Sequence, residues 1–163
     1  MPLNVCLNAR KIAHLRMPIK VNLQKRGFVL LYVSCPLCGD YDETEDHVFV
    51  HCPTSRRILQ DVCRWWGVNC DFVSNVAHLL NWGYDLNFKG DLLKVFTGVI
   101  YSYCWLVWKL RNGKVFPRAV REKEPLVFSQ IQAYAFFWLK NRSKRSNFAN
   151  RWMDWLFNPA SCC

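Results

Sequence analysis

Residues 35–52 read CPLCGDYDETEDHVFVHC, and no other stretch limits this chain's fold so strongly. Three cysteines and two histidines fall within eighteen positions, around five acidic residues. The spacing is Cys35-x2-Cys38-x8-His47-x4-Cys52. Zinc prefers four tetrahedral nitrogen and sulfur ligands, and C-x2-C supplies two of them from one tight turn. Pro36 stiffens that turn, and Gly39 lets the chain reverse with positive φ. Four protein ligands leave no open position for water, so the expected site is structural rather than catalytic. Three thiolates and a neutral imidazole leave a divalent centre with a net charge of about −1, and thiol-rich ligation favours zinc over magnesium or calcium. So short and acidic a segment has little core of its own. A structural zinc contributes on the order of 10 kcal/mol in small modules. His51 is the rival fourth ligand, giving a two-Cys, two-His set; Cys52 is preferred. The expectation is one structural Zn2+ per chain on Cys35, Cys38, His47 and Cys52, with no catalytic residues.

The rest of the 163-residue chain is half apolar, with eight Trp and eleven Phe. That predicts a packed, aromatic-rich core. The net charge is +10, unevenly spread. Residues 1–34 hold six basic and no acidic residues, whereas 35–53 hold five acidic and no basic ones. Residues 54–100 nearly cancel, and 101–163 hold eleven basic against three acidic. Two basic flanks around an acidic island suit a polyanionic partner. Nine cysteines without a recognisable secretory leader suggest a reducing compartment, nucleus or cytoplasm rather than secretion, with thiols as ligands or buried groups. The uncharged run VFTGVIYSYCWLVW is fourteen residues long. A membrane span needs about 20 apolar residues, so a buried helix is expected instead.

Periodicity predicts a mainly α protein: a small zinc-centred module, a Cys turn plus short helix, packed on or joined to a helical bundle. Three parts are expected, a basic helical lead-in (1–34), the zinc-binding module (35–53) and a Trp-rich helical region (54–163). A helix over 3–16 would use Val5, Ile12 and Leu15 as its apolar positions, and a second would end at Gly27. FVLLYV (28–33) reads as a short strand. Asp42 or Thr44 caps a helix carrying His47, placing the acids at its positive end. Thr54 or Ser55 caps the next helix, which carries Ile58, Val62, Cys63 and Trp66 and stops at Gly67. Ser74 caps another. Asp91 begins a long central helix to about Asn112, ended by Gly113. Pro125 opens a further helix, and Ser146 a last one.

With these residues in view, the chain resembles the zinc-binding region near the C-terminus of reverse transcriptases from plant non-LTR (LINE-type) retrotransposons. The matching positions are Cys35, Pro36, Cys38 and Gly39, then Glu43, Thr44 and His47, then Phe49 and Cys52. Upstream, RMPIKVNLQKRG is similar to the family's lead-in at Pro18, Asn22, Leu23, Arg26 and Gly27, departing at Ile19 where Thr is usual. WLVWKLRNGKVF and FFWLKNRSKRSNFANRWMDWLFNP resemble its tail. The resemblance covers roughly residues 14–159 and implies gripping of element RNA or target DNA during target-primed reverse transcription. No polymerase aspartate pair, endonuclease set or RNase H set is present, so no enzyme is expected.

The leading expectation is therefore a non-catalytic structural-zinc module that binds RNA or DNA. Its contacts would come from Arg16, Lys20, Lys25 and Arg26, with Arg10 and Lys11 nearby, and from Lys140, Arg142, Lys144 and Arg145, interleaved with Phe148 and Trp152. Basic grooves with stacking aromatics suit single strands. The alternatives are a structural or protein-interaction module bracing the polymerase, whose remainder would be its partner, or a decayed element fragment. The acidic surface at residues 40–46 favours bracing. Neither a membrane nor a small-molecule substrate is expected.

Overall fold

The computed structural model describes residues 1–116, 124–142 and 151–162. Helices dominate, and among the described residues there is no strand. In α1 (Leu3–Ala13), Val5, Ala9 and Ile12 recur at i, i+4 and i+7 and are all buried. Leu15 falls outside that stripe. The helix ends at Ala13, and Leu15 is an exposed turn residue at φ 51°. α2 (Lys20–Lys25) is a turn and a half long and gives way to Gly27 at φ 89°.

Residues 28–33 do not form the expected strand. Val29 is 96% exposed and Leu31 is 91% exposed. Among the described residues, the β pairing nearby is limited to an isolated antiparallel bridge between Ser34 and Asp42. It is too short to carry the preceding residues into a ladder, so their β-forming side chains lack a partner.

After the cysteine turn, a helical turn widens into a π-helical one at His47–His51. α3 (Pro53–Trp66) follows directly. Its N-cap is Cys52, not Thr54 or Ser55, because Pro53 at the first helical position has no N–H to satisfy. Ile58, Val62, Cys63 and Trp66 are buried as expected, and Gly67 closes the helix in the left-handed region at φ 64°. α4 (Val76–Asp85) is capped by Asn75 rather than Ser74, its Oδ1 accepting the His78 N–H at 2.9 Å.

α5 (Gly90–Val115) is the axis of the molecule, about 39 Å long at 1.5 Å per residue. It starts after Lys89 and runs through buried Gly113, so neither predicted boundary is met. α1, α4, α6 (Glu124–Arg142) and the π-helical turn all pack on it. Gly98 lets α6 approach closely: a Cβ there would lie 2.7 Å from Trp138. α7 (Trp152–Phe157) and a final 3₁₀ turn (Pro159–Cys162) close the bundle. The start expected at Ser146 lies outside the described residues.

The aromatic groups are mostly core. Trp65, Trp66 and Trp155 meet edge to face, and Phe96 and Phe88 extend the cluster. The Trp155 indole N–H donates to the Gln132 carbonyl at 2.9 Å. One apolar cluster runs from Ile12 to Cys162 and takes in Cys35, Phe49 and Cys52, so the cysteine loop is packed into the helical core. Among the described residues, no helix is long and apolar enough to cross a membrane.

Candidate metal centre

Backbone hydrogen bonds close the cysteine loop on itself. The Cys35 N–H donates to the Tyr41 carbonyl at 2.7 Å, and the Glu43 N–H donates to Val33 at 2.8 Å. Between them, Gly39 takes φ 86° and donates its N–H to the Cys35 carbonyl at 2.8 Å. This closed turn points Cys35 and Cys38 the same way. Thr44 then accepts the His47 N–H at 3.0 Å, so Thr44, not Asp42, caps the turn that carries His47. The π-helical closure is explicit at Cys52, whose N–H reaches the His47 carbonyl at 2.6 Å. The extra residue per turn rotates Cys52 toward the other three ligands.

The ligand atoms of Cys35, Cys38, His47 and Cys52 all lie within 4.8 Å of one another. Cys35 Sγ is 4.0 Å from Cys52 Sγ, and Cys38 Sγ is 3.2 Å from His47 Nε2. A tetrahedral zinc with Zn–S of 2.3 Å has sulfur–sulfur edges of about 3.8 Å. The cluster therefore suits one zinc ion, and the donor set is the thiol-rich kind that zinc prefers.

The protein's own electrostatics treat the ligands unequally. The hydrogen bond to Cys52 and then burial push the Cys35 thiol up. The same hydrogen bond pulls Cys52 down, and the N–H groups of Thr54 and Ser55 at the start of α3 act in the same direction. The Cys52 sulfur thus lies at the positive end of a fourteen-residue helix, which favours its thiolate form. Burial lowers the His47 pKa, with the His51 charge adding to the effect. His47 is thereby held neutral, the form that ligates a metal. His51 is turned away: it is exposed, and its Nε2 lies 2.9 Å from the Ser74 carbonyl.

Several residues that hold this loop were not assigned roles from sequence. Glu43 is fully buried and receives a two-pronged ion pair from Arg111 of α5, Nε to Oε1 at 2.5 Å and Nη2 to Oε2 at 2.8 Å. The Lys20 N–H donates to the same carboxylate at 2.8 Å, and the Arg111 guanidinium lies 4.9 Å from the Trp108 ring centroid. Glu45, also buried, accepts from the Asn22 side chain at 2.5 Å. Asp46 accepts the Val76 N–H at 2.8 Å, so it caps α4 instead of the turn on which it sits. Tyr103 of α5 shares its hydroxyl proton between the Phe49 and Ser55 carbonyls, at 2.7 and 3.1 Å. For Tyr103 and Arg111 the sequence signal was a hydroxyl or charged residue inside the largely apolar α5; Glu43, Glu45 and Asp46 carried none beyond their acidity.

Residues 1–58 match the family described as zinc-binding in reverse transcriptase. The matched span contains all four clustered ligands and ends within α3. No curated protein and no solved structure matches the chain. The zinc-binding match and the four-residue cluster support each other, because one rests on sequence and the other on geometry.

The proposed nucleic-acid contacts are distributed less evenly. Arg16, Lys25 and Arg26 are exposed, and an Arg26 Nη2 donates to the Arg16 carbonyl at 3.3 Å. Lys20 is half-buried, with its Nζ on the Ser34 carbonyl at 2.8 Å. Lys140 is exposed near the end of α6. The Arg142 side chain, Lys144, Arg145 and Phe148 lie outside the described residues. Trp152 is committed to packing, its ring 4.8 Å from that of Phe136.

Proposed function

We propose that this chain is a non-catalytic, zinc-stabilised module that binds RNA or DNA, corresponding to the C-terminal part of a plant non-LTR retrotransposon reverse transcriptase. One observation carries the reading: which cations have partners. Arg56, Arg57, Arg64, Lys94, Arg111 and Arg151 each pair with a carboxylate. Among the described residues, Arg10, Lys11, Arg16, Lys25 and Arg26 pair with none, and all five are exposed. Lys89, Lys114 and Lys140 are also exposed with no carboxylate partner among the described residues, but they are spread along α5 and α6, whereas these five fall within residues 10–26. Unneutralised charge gathered on one stretch of chain is the footprint of a polyanion site. The non-catalytic part of the reading rests on the ligand set, since three thiols and an imidazole fill a tetrahedral shell.

Binding of a labelled oligonucleotide by the zinc-loaded chain across a salt series tests this. Five phosphate contacts on a single strand give a slope of about −3.5 for log K against log salt. A flat salt response, or no binding, would sink the proposal.

A further inference from the structure

We propose that Cys63 and Cys70 form a second thiol site, separate from the metal centre, which closes to a disulfide when a hydroperoxide reaches it. Cys63 lies in the last turn of α3, and Cys70 lies just beyond the end of that helix. Gly67, at φ 64°, turns the chain, and the Val68 N–H donates to the Cys63 carbonyl at 3.0 Å. The segment that follows is tied back to α3 and to the metal loop. Asp71 pairs with Arg56 of α3 at 3.4 Å. The Ser74 carbonyl lies 2.9 Å from His51 Nε2, and the Val76 N–H donates to Asp46 at 2.8 Å. This return brings the Cys70 side chain into hydrogen-bonding contact with Cys63. Both are free thiols, 4% and 5% exposed.

Access separates this pair from Cys104, which is sealed inside α5 at 0% exposure. Cys63 and Cys70 line a surface groove together with Gln60, Arg64, Asn69 and Asp71, with room for a molecule as small as hydrogen peroxide. Burial, and then the hydrogen bond with Cys70, push the Cys63 thiol well above its ordinary range, so Cys63 keeps its proton. The thiolate is the nucleophile, which makes Cys70 the first to react. Its sulfur attacks the O–O bond of the peroxide, forming a sulfenic acid at Cys70 and releasing water. The Cys63 sulfur then attacks the Cys70 sulfur. The S–S bond forms, the S–O bond breaks, and the departing hydroxide leaves with the Cys63 proton as water. Two thiols and one peroxide thus give one disulfide and two waters.

The test treats the zinc-loaded full chain with hydrogen peroxide, blocks the remaining thiols and maps the tryptic peptides by mass spectrometry. Trypsin cuts after Arg64, so Cys63 and Cys70 fall on separate peptides, 58–64 and 65–89. The expected product joins these two peptides with the loss of two hydrogens, is reversed by dithiothreitol, and keeps its zinc. Cys63→Ser should instead leave a sulfenic acid on peptide 65–89, captured by dimedone. Closing the loop from residue 63 to residue 70 should raise Tm by about 5–10 °C. Failure of the two peptides to join at peroxide concentrations that oxidise the exposed Cys6 would overturn the proposal. A joined pair that lowers Tm would overturn it too, because a strained bond means that the fold does not place the sulfurs for one. Zinc loss with oxidation falling on Cys35, Cys38 or Cys52 instead would move the peroxide chemistry to the metal centre and reject the second site.

Discussion

Arg111→Met isolates the link between the metal loop and the helical core. Methionine keeps most of the side-chain stem and removes the guanidinium. Glu43, at 0% exposure, would then retain one backbone donor, the Lys20 N–H. Removing one partner of a buried ion pair costs about 3–5 kcal/mol, because the other charge is left uncompensated. Loss of the contact with Trp108 adds to this. For a domain of this size, 1 kcal/mol shifts Tm by about 2–4 °C, so the expected fall is about 6–20 °C. Arg64→Met is the control, since its partner Asp61 lies on the surface and such pairs contribute about 1 kcal/mol or less. Urea melts of the zinc-loaded chain give the free energies. The decisive measurement is the double variant Arg111→Met with Glu43→Met, which removes both charges and should be more stable than Arg111→Met alone. If Arg111→Met costs no more than Arg64→Met, or if the two substitutions simply add, the buried-anchor reasoning is wrong.

Three further outcomes are expected. Cys52→Ala should abolish stoichiometric zinc and His51→Ala should keep it, as elemental analysis will show; the reverse pattern would make His51 the fourth ligand. Tyr103→Phe should cost about 1 kcal/mol in urea melts, because the Phe49 and Ser55 carbonyls lose their shared donor inside the core; no loss would mean that another donor reaches them. The His47 pKa is lowered by burial, so the folded chain favours neutral His47 while the unfolded chain takes up the proton first. Stability and zinc retention should therefore be full above about pH 6.5, the ordinary histidine value, and decline as pH falls below it, followed with a chromophoric chelator. Zinc retention that improves on acidification would contradict this sign.

The parts of the fold that were legible in the sequence depend on near neighbours. Cys35, Cys38, His47 and Cys52 announce themselves by spacing, and Gly39 and Gly67 by the turns they permit. The apolar stripe of α3 is a property of one helix. What was misread depends on distant partners. FVLLYV has strand-forming residues, but a strand needs a neighbour, and pairing begins only at its last residue, with the Val33 carbonyl and the Ser34–Asp42 bridge. Ser74 and Asn75 are comparable caps, and the choice is tied to Asp46, thirty positions away, which holds the Val76 N–H. The pairing of Glu43 with Arg111 spans 68 positions, and nothing local to either residue encodes it. The boundaries of α5 moved because tertiary packing outweighs the roughly 1 kcal/mol that an internal glycine costs a helix.

The same distant contacts alter the electrostatic reading of the chain. Counted along the sequence, five acids at residues 40–46 form an island that would repel a polyanion. The fold uses three of them internally: Glu43 neutralises Arg111, Glu45 bonds to Asn22, and Asp46 caps α4. Only Asp40 and Asp42 remain fully exposed there. The basic lead-in is treated in the opposite way, since five of its six cations stay exposed and unpaired among the described residues. A zinc centre with a net charge of about −1 offsets only part of that excess. At physiological salt, charges farther apart than about 8 Å are largely screened, so what a ligand meets is the local balance. Around α1 and α2 that balance is positive, although the neighbouring sequence is the most acidic in the chain. Acidity along the sequence is therefore a weak reason to prefer a bracing role, and the unpaired cations are the stronger guide to what this module binds.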